Sequence, residues 1–314
     1  MPRPYNRGLE RVGPTQGYDM NWITLALLSA LMLGVYDVGK KSAIDRNALF
    51  PTLFLCSISG CVLVVPPLLL TLWNPELAGR LGCAVEPLGV RGQFMILAKT
   101  AIVTSSWTLS FLALRSLPIS IAAPIRATAP LFTLVGAVFL YGEMPTPRQW
   151  AGIVLILGSY WAFSVIGKAE GIHFRKSPWI WALLGATALG AVSSLWDKNL
   201  LQREHLPPWA MQVWFIIDNA LLQAVLWACL GRFDRTPFKF RPAALAVGPL
   251  LFLADAAYFR ALAFPGTPVS IVSSIRRTNV VVSFLVGGLA FHEKNRRRKG
   301  VALLGVIAGL ALLL

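Results

Sequence analysis

The sequence predicts an all-α membrane protein, with ten transmembrane helices in two inverted five-helix repeats. Three observations carry that expectation. Only 14% of the 314 residues are charged and 56% are hydrophobic, whereas a soluble domain carries about 25% charged residues. Apolar runs of roughly 20 residues recur along nearly the whole chain, the length a helix needs to cross a bilayer, and they lack a barrel strand's alternation. The chain also repeats one of its own stretches: residues 118–128 return as 268–278 at a constant offset of 150. Pro118, Ser120, Ile121, Ile125, Arg126 and Thr128 coincide with Pro268, Ser270, Ile271, Ile275, Arg276 and Thr278. The correspondence reaches back to Leu112-Ala113 and Leu262-Ala263, and forward to Glu143 and Glu293.

The spans follow in order, each bounded by Pro, Gly or charge clusters. Residues 1–20 read as an N-terminal extension, too polar for a cleavable signal peptide. Residues 21–167 hold the first repeat, with spans at 22–38, 51–73, 93–114, 119–141 and 150–166. Residues 168–178 form a short polar linker. The second repeat, 179–314, places its spans at 179–201, 209–230, 243–264, 269–291 and 301–314. Tyr36-Asp37 in the first span has its counterpart in Trp196-Asp197 of the sixth, an aromatic followed by a buried acid. Because each repeat has an odd number of spans, the second copy must cross the membrane in the opposite sense. Inverted repeats put a substrate site at their interface near the bilayer midplane, which implies alternating access.

Composition removes several function classes. The net charge of +15 is spread over short loops between apolar runs, which is the positive-inside pattern and no nucleic-acid patch. Cys56, Cys61, Cys83 and Cys229 have no CxxC spacing and read as small buried residues. His173, His205 and His292 all fall in loops, so neither a metal centre nor a cofactor site is expected. The GxxxxGK[ST] phosphate loop of an ATP-driven pump is absent from the sequence. An enzyme acting on lipid phosphates would need a nucleophile or metal constellation within the spans. The chain is therefore read as no enzyme.

Charges inside the spans carry the functional reading. An arginine in an apolar run is expensive and marks a function or an ion pair. Arg126 and Arg276 occupy equivalent places in the two copies, and Ala127 in one becomes Arg277 in the other. A pair Arg126–Asp or Arg276–Asp would be structural, repeated by pseudo-symmetry. Arg277 breaks that symmetry. Guanidinium groups are suited to bidentate phosphate or carboxylate binding, so Arg126, Arg276 and Arg277 are the expected anion ligands. Thr128, Thr278, Asn279, Lys198, Tyr36, Trp196 and Tyr258 are expected beside them in the substrate site. Asp37, Asp197, Asp255 and Asp218 are expected to orient the cations or to carry a coupling proton. Lys40 and Lys41, one turn beyond Asp37, are counted with the loop but can also reach inward.

The approach Leu112-Ala113-Leu114-Arg115-Ser116-Leu117-Pro118, then Gly142-Glu143 and a span containing Gly152, resembles the EamA-type drug/metabolite transporters over residues 21–314. That resemblance implies that the first four helices of each half line the cavity, while the fifth and tenth pack outside it. Gly305 and Gly309 form a GxxxG in the tenth span, suited to seating it on its own bundle or to dimerisation. The resemblance also implies both termini inside. Loop charges, fifteen on one side against seven on the other, place them outside. The intramembrane arginines are similar in place to those of the plastid phosphate translocators, which use a basic residue in the fourth helix and a basic pair in the ninth. Here the fourth-helix residue is Arg rather than Lys.

These readings converge on a multi-pass protein of the cell (inner) membrane that moves a small organic anion, a phosphorylated metabolite among the candidates, by exchange or proton coupling. Its expected partners are the anion, a coupling proton or counter-substrate, and the lipid bilayer, with the chain as monomer or homodimer. The rival readings are an exporter of amino acids or amphipathic drugs, and a flippase for an anionic lipid.

Overall fold

A computed structural model of the chain describes residues 21–44, 46–116, 125–126, 129–167, 177–279, 281–282 and 296–313. Among them every regular element is helical. In lipid the backbone must satisfy its own polar groups, and a helix does so within one segment. The first half supplies α1 (Trp22–Ile44), α2 (Leu49–Trp73), the short α3 (Pro75–Arg80), α4 (Val90–Ser116), α5 (Ala129–Tyr141) and α6 (Pro147–Gly167). The second supplies α7 (Pro178–Lys198), α8 (Pro208–Leu230), α9 (Ala243–Ala263), α10 (Val269–Arg276) and α11 (Arg296–Leu313). Among the described residues six helices are long and apolar enough to cross a bilayer: α1, α2, α4, α7, α8 and α9.

Several ends differ from expectation. Helix α1 continues past residue 38 to Ile44, which takes Lys40 and Lys41 out of the loop. Charge was read as the end of a span, but a helix ends only where its backbone pairing ends. A charged side chain can stay on the helix if its face meets polar surroundings. Helix α7 likewise runs on through a π turn at Asn199–Arg203. The repeated stretches lie partly outside the described residues, as do Thr128, Glu293 and residues 1–20.

Packing crosses between the halves. Helix α1 lies along α9, where Ser29 Oγ donates to the Ala254 carbonyl at 2.7 Å. Helix α4 lies along α7, where Ser106 Oγ donates to the Ala186 carbonyl at 2.6 Å. Helix α5 rests on α7, α10 rests on α1, and α2 meets both α8 and α9. Exchanging the two halves turns the α1–α9 pair into α7–α4, and the α5–α7 pair into α10–α1. Gly248 of α9 lets the α2 backbone approach closely, for a Cβ there would overlap Gly60 and Ser59.

Helices α6 and α11 pack against each other. A Cβ on Gly309 would stand 2.6 Å from Ile156 Cγ1 and 2.9 Å from the Gly152 carbonyl, and one on Gly305 would overlap Ser159. The GxxxG of the last span is therefore filled from within the chain. Neither helix contributes to the described lining of the central cavity, in keeping with the peripheral place that the resemblance implies for them.

Candidate functional site

A cavity of about 170 Å³ opens between the two halves. Each contributing helix offers one face, because residues three, four and seven apart share a side of a helix. Helix α1 presents Leu33, Tyr36, Asp37 and Lys40; α9 presents Leu251, Asp255, Tyr258 and Phe259. Helix α4 adds Lys99, Ser106 and Trp107, and α7 adds Thr187, Gly190, Ser194 and Asp197. Arg126 enters just before α5, and Arg276 and Arg277 enter from the end of α10. The small side chains of α7 leave the space that the charged ones fill.

The charges are partly matched by one another. Arg276 Nη2 meets Asp255 Oδ1 at 2.5 Å, with the guanidinium 4.1 Å above the Tyr258 ring. Lys99 Nζ lies 3.3 Å from Asp197 Oδ1. That lysine is only 2% exposed, and its ammonium stands 3.5 Å from the Phe215 ring centroid and 4.5 Å from that of Phe259. Removing either partner of such a pair would leave a charge in an apolar wall. Asp37 accepts a 2.5 Å hydrogen bond from Asn279 Nδ2. Lys40 Nζ is 4.2 Å from the Phe111 centroid, 5.3 Å from Tyr36 and 5.7 Å from Trp107.

The residues expected from the sequence separate into those that meet here and those that do not. Arg126, Arg276, Arg277, Tyr36, Tyr258, Asp37, Asp197 and Asp255 all line the cavity. Asn279 stands behind it, holding Asp37. Thr278 is buried with its hydroxyl donated to the Ile275 carbonyl at 2.7 Å, and it does not reach the described lining. Trp196 points away, its indole Nε1 donating to the Met95 carbonyl at 3.0 Å. Asp218 is buried on α8 outside the described lining. Thr128 lies outside the described residues.

Lys198 is also placed elsewhere. It follows Asp197 by one residue, and the 100° turn between neighbours on a helix aims it away from the cavity. Its ammonium lies 2.6 Å from Glu143 Oε1 and donates to the Thr267 carbonyl at 3.2 Å. The Glu143 carboxylate also accepts from the Val269 amide at 2.9 Å, the Ser270 amide at 3.2 Å and Ser270 Oγ at 2.5 Å. Pro268, at the N-cap of α10, makes no side-chain cap, so a carboxylate from the other half satisfies the first amides of the helix. Gln202 Nε2 donates to the Leu262, Phe264 and Thr267 carbonyls at the same end.

From the sequence, Lys40 is counted with a loop while able to reach inward, and Lys99 is a base buried in a span that is not assigned to the site. For Lys40 a signal was present: it stands three residues after Asp37 and four after Tyr36, on the same helical face. Lys99 gave no such signal, because its partners Asp197, Phe215 and Phe259 come from the other half.

Residues 20–165 match the EamA-like transporter family. No curated protein matches the chain. Among solved structures 29 chains match. One of them, titled only "Crystal structure of protein", has a TM-score of 0.71 at 17% identity, covering 93% of this chain and 97% of that one. At that identity the likeness is one of fold.

Proposed function

We propose that this chain, whose residues 20–165 match the EamA-like transporter family, is a drug/metabolite transporter that moves a small organic anion by alternating access. It is a multi-pass membrane transporter. The single observation behind the anionic substrate is the charge of the cavity wall. The described lining holds five cations, Lys40, Lys99, Arg126, Arg276 and Arg277, beside the carboxylates of Asp37, Asp197 and Asp255. Guanidinium and ammonium groups gathered in one cavity suit charge-assisted hydrogen bonding to a bound anion. Arg126 and Arg277 contact that anion in this reading, while Arg276, braced by Asp255, completes the basic wall.

The alternating-access part rests on ten spans in two inverted halves, and the exchange of helix pairs between the halves supports it. In such a cycle the halves rock about the cavity, with a proton on Asp37 or Asp197, or a counter-substrate, returning the empty carrier. The size of the cavity supports a solute rather than a lipid: about 170 Å³ is close to the roughly 150 Å³ that holds one benzene. We place the protein in the cell (inner) membrane.

Uptake into proteoliposomes and binding in nanodiscs, with organophosphates and carboxylates as probes, test the reading. Arg126→Gln and Arg277→Gln are expected to lower anion affinity and uptake together. Undiminished uptake of every anionic probe by the double variant would overturn it. So would tight binding of neutral or cationic solutes in excess phosphate.

A further inference from the structure

Helices α8 and α9 are both long and apolar enough to cross a bilayer, so the loop that joins them, residues 231–242, lies at the membrane surface. Its sequence alternates rings and bases: three phenylalanines, four basic residues and one acid. Phe233, Phe238 and Phe240 are 69%, 46% and 61% exposed. Arg232, Arg235 and Lys239 are exposed between them, with the Arg232 guanidinium 4.8 Å from the Phe233 ring centroid. Rings turned outward are unfavourable in bulk water, whereas aromatic and long basic side chains together suit the headgroup layer of a bilayer.

The loop is also held in place. Asp234 turns its carboxylate inward, where Oδ2 accepts from the Leu49 amide at 2.7 Å and Oδ1 from the Thr236 amide at 3.2 Å. Asn47, buried in the turn between α1 and α2, donates to the Lys239 carbonyl at 2.7 Å and accepts from the Lys239 amide at 2.7 Å. A surface fixed before binding loses little conformational freedom when a partner arrives.

From this arrangement we infer that the 231–242 loop is a docking surface for anionic phospholipid. Arg232, Arg235 and Lys239 hold the headgroup phosphate, and Phe233, Phe238 and Phe240 enter the glycerol and upper acyl layer. Charge complementarity selects the lipid: a zwitterionic headgroup carries the same phosphate but cancels it with its own cation. Because Asn47 and Asp234 tie the loop to the α1–α2 turn, a lipid bound here steadies the ends of α1, α2, α8 and α9 together. The inference is independent of what the cavity carries.

The experiment titrates the purified full chain in detergent with dioleoylphosphatidylglycerol and dioleoylphosphatidylcholine, read by native mass spectrometry. Thermal unfolding without added lipid checks the fold of each variant. Wild type is expected to prefer phosphatidylglycerol by about tenfold or more, on the scale of the attraction between surface bases and anionic lipid. Arg232→Gln, Arg235→Gln and Lys239→Gln together should bring the two lipids within about threefold. Arg232→Lys with Arg235→Lys should keep the preference, because the charge remains. Phe238→Ser with Phe240→Ser should weaken both lipids alike. Raising ammonium acetate from about 0.05 to about 0.5 M should lower the wild-type preference, a test that needs no variant. Equal affinities in wild type would overturn the inference, as would a preference that survives the triple substitution or the added salt. Displacement of the lipid by millimolar inorganic phosphate would overturn it too, leaving an anion site and no lipid surface.

Discussion

Lys198 Nζ lies 2.6 Å from Glu143 Oε1, and this pair ties the end of α7 to the segment that follows α5. The same carboxylate caps α10, so three helices converge on one acid at one end of the bundle. Helix α10 carries Arg276 and Arg277 at its other end. The clasp thus holds the helix that supplies two of the cavity's cations.

Glu143→Gln keeps the size of the side chain but loses the charge. The expected cost is about 1.5–3 kcal/mol, the range for hydrogen bonds to charged groups. Thermal unfolding in detergent or nanodiscs measures it. In a double-mutant cycle with Lys198→Met the losses should fall short of additive, because both variants break one contact. Strict additivity would mean that Lys198 does not draw on Glu143.

Lys99→Met leaves Asp197 facing apolar rings and the nearby Asp255. Breaking one side of a buried pair costs about 3–5 kcal/mol. Lys99→Met combined with Asp197→Asn should recover much of that loss, because no uncompensated charge remains. A double variant as unstable as the single one would count against the pair as the cause.

Gly309→Leu should destabilise the fold through the contact between α11 and α6. Overpacking of this kind costs roughly 1–3 kcal/mol. Because the glycine face is filled by Ile156 and Gly152, the oligomeric state should stay as in wild type. Size-exclusion chromatography with light scattering reads that directly. A change in oligomer with no change in Tm would mean that the GxxxG serves a second chain.

Arg276→Gln with Asp255→Asn removes one charge of each sign, so the balance of the cavity is unchanged. Anion affinity should then stay within about threefold of wild type, whereas Arg126→Gln alone should lower it about tenfold. Equilibrium binding of phenyl phosphate separates the two cases. The reverse order would place the anion at Arg276.

How much of this was legible can be seen residue by residue. Tyr36, Asp37, Arg126, Asp197, Asp255, Arg276 and Arg277, which line the cavity, are legible in the sequence because a charge, or an aromatic beside one, stands out from its apolar run. Lys40 was counted with a loop because adjacent lysines look like the end of a span. Lys198 was read as a ligand because it is charged and adjoins Asp197, yet one residue on a helix is a turn of 100°. Trp196 and Thr278 lie outside the described lining for a similar reason: type and proximity in sequence do not say which way a side chain points.

The sequence by itself indicated an all-helical membrane protein, the recurrence of residues 118–128 as 268–278, and the stretches in which costly charge is buried. Periodicity, helix length and the expense of a charge in lipid are local properties, readable from a few dozen consecutive residues. Only the tertiary structure decided which cation meets which acid. Lys99 and Asp197 stand far apart in sequence, as do Glu143 and Val269, and nothing local to either partner names the other. That Arg276 is braced by Asp255 and Lys99 by Asp197 exists only once the helices are packed, because a pair belongs to a place in space rather than to a stretch of chain.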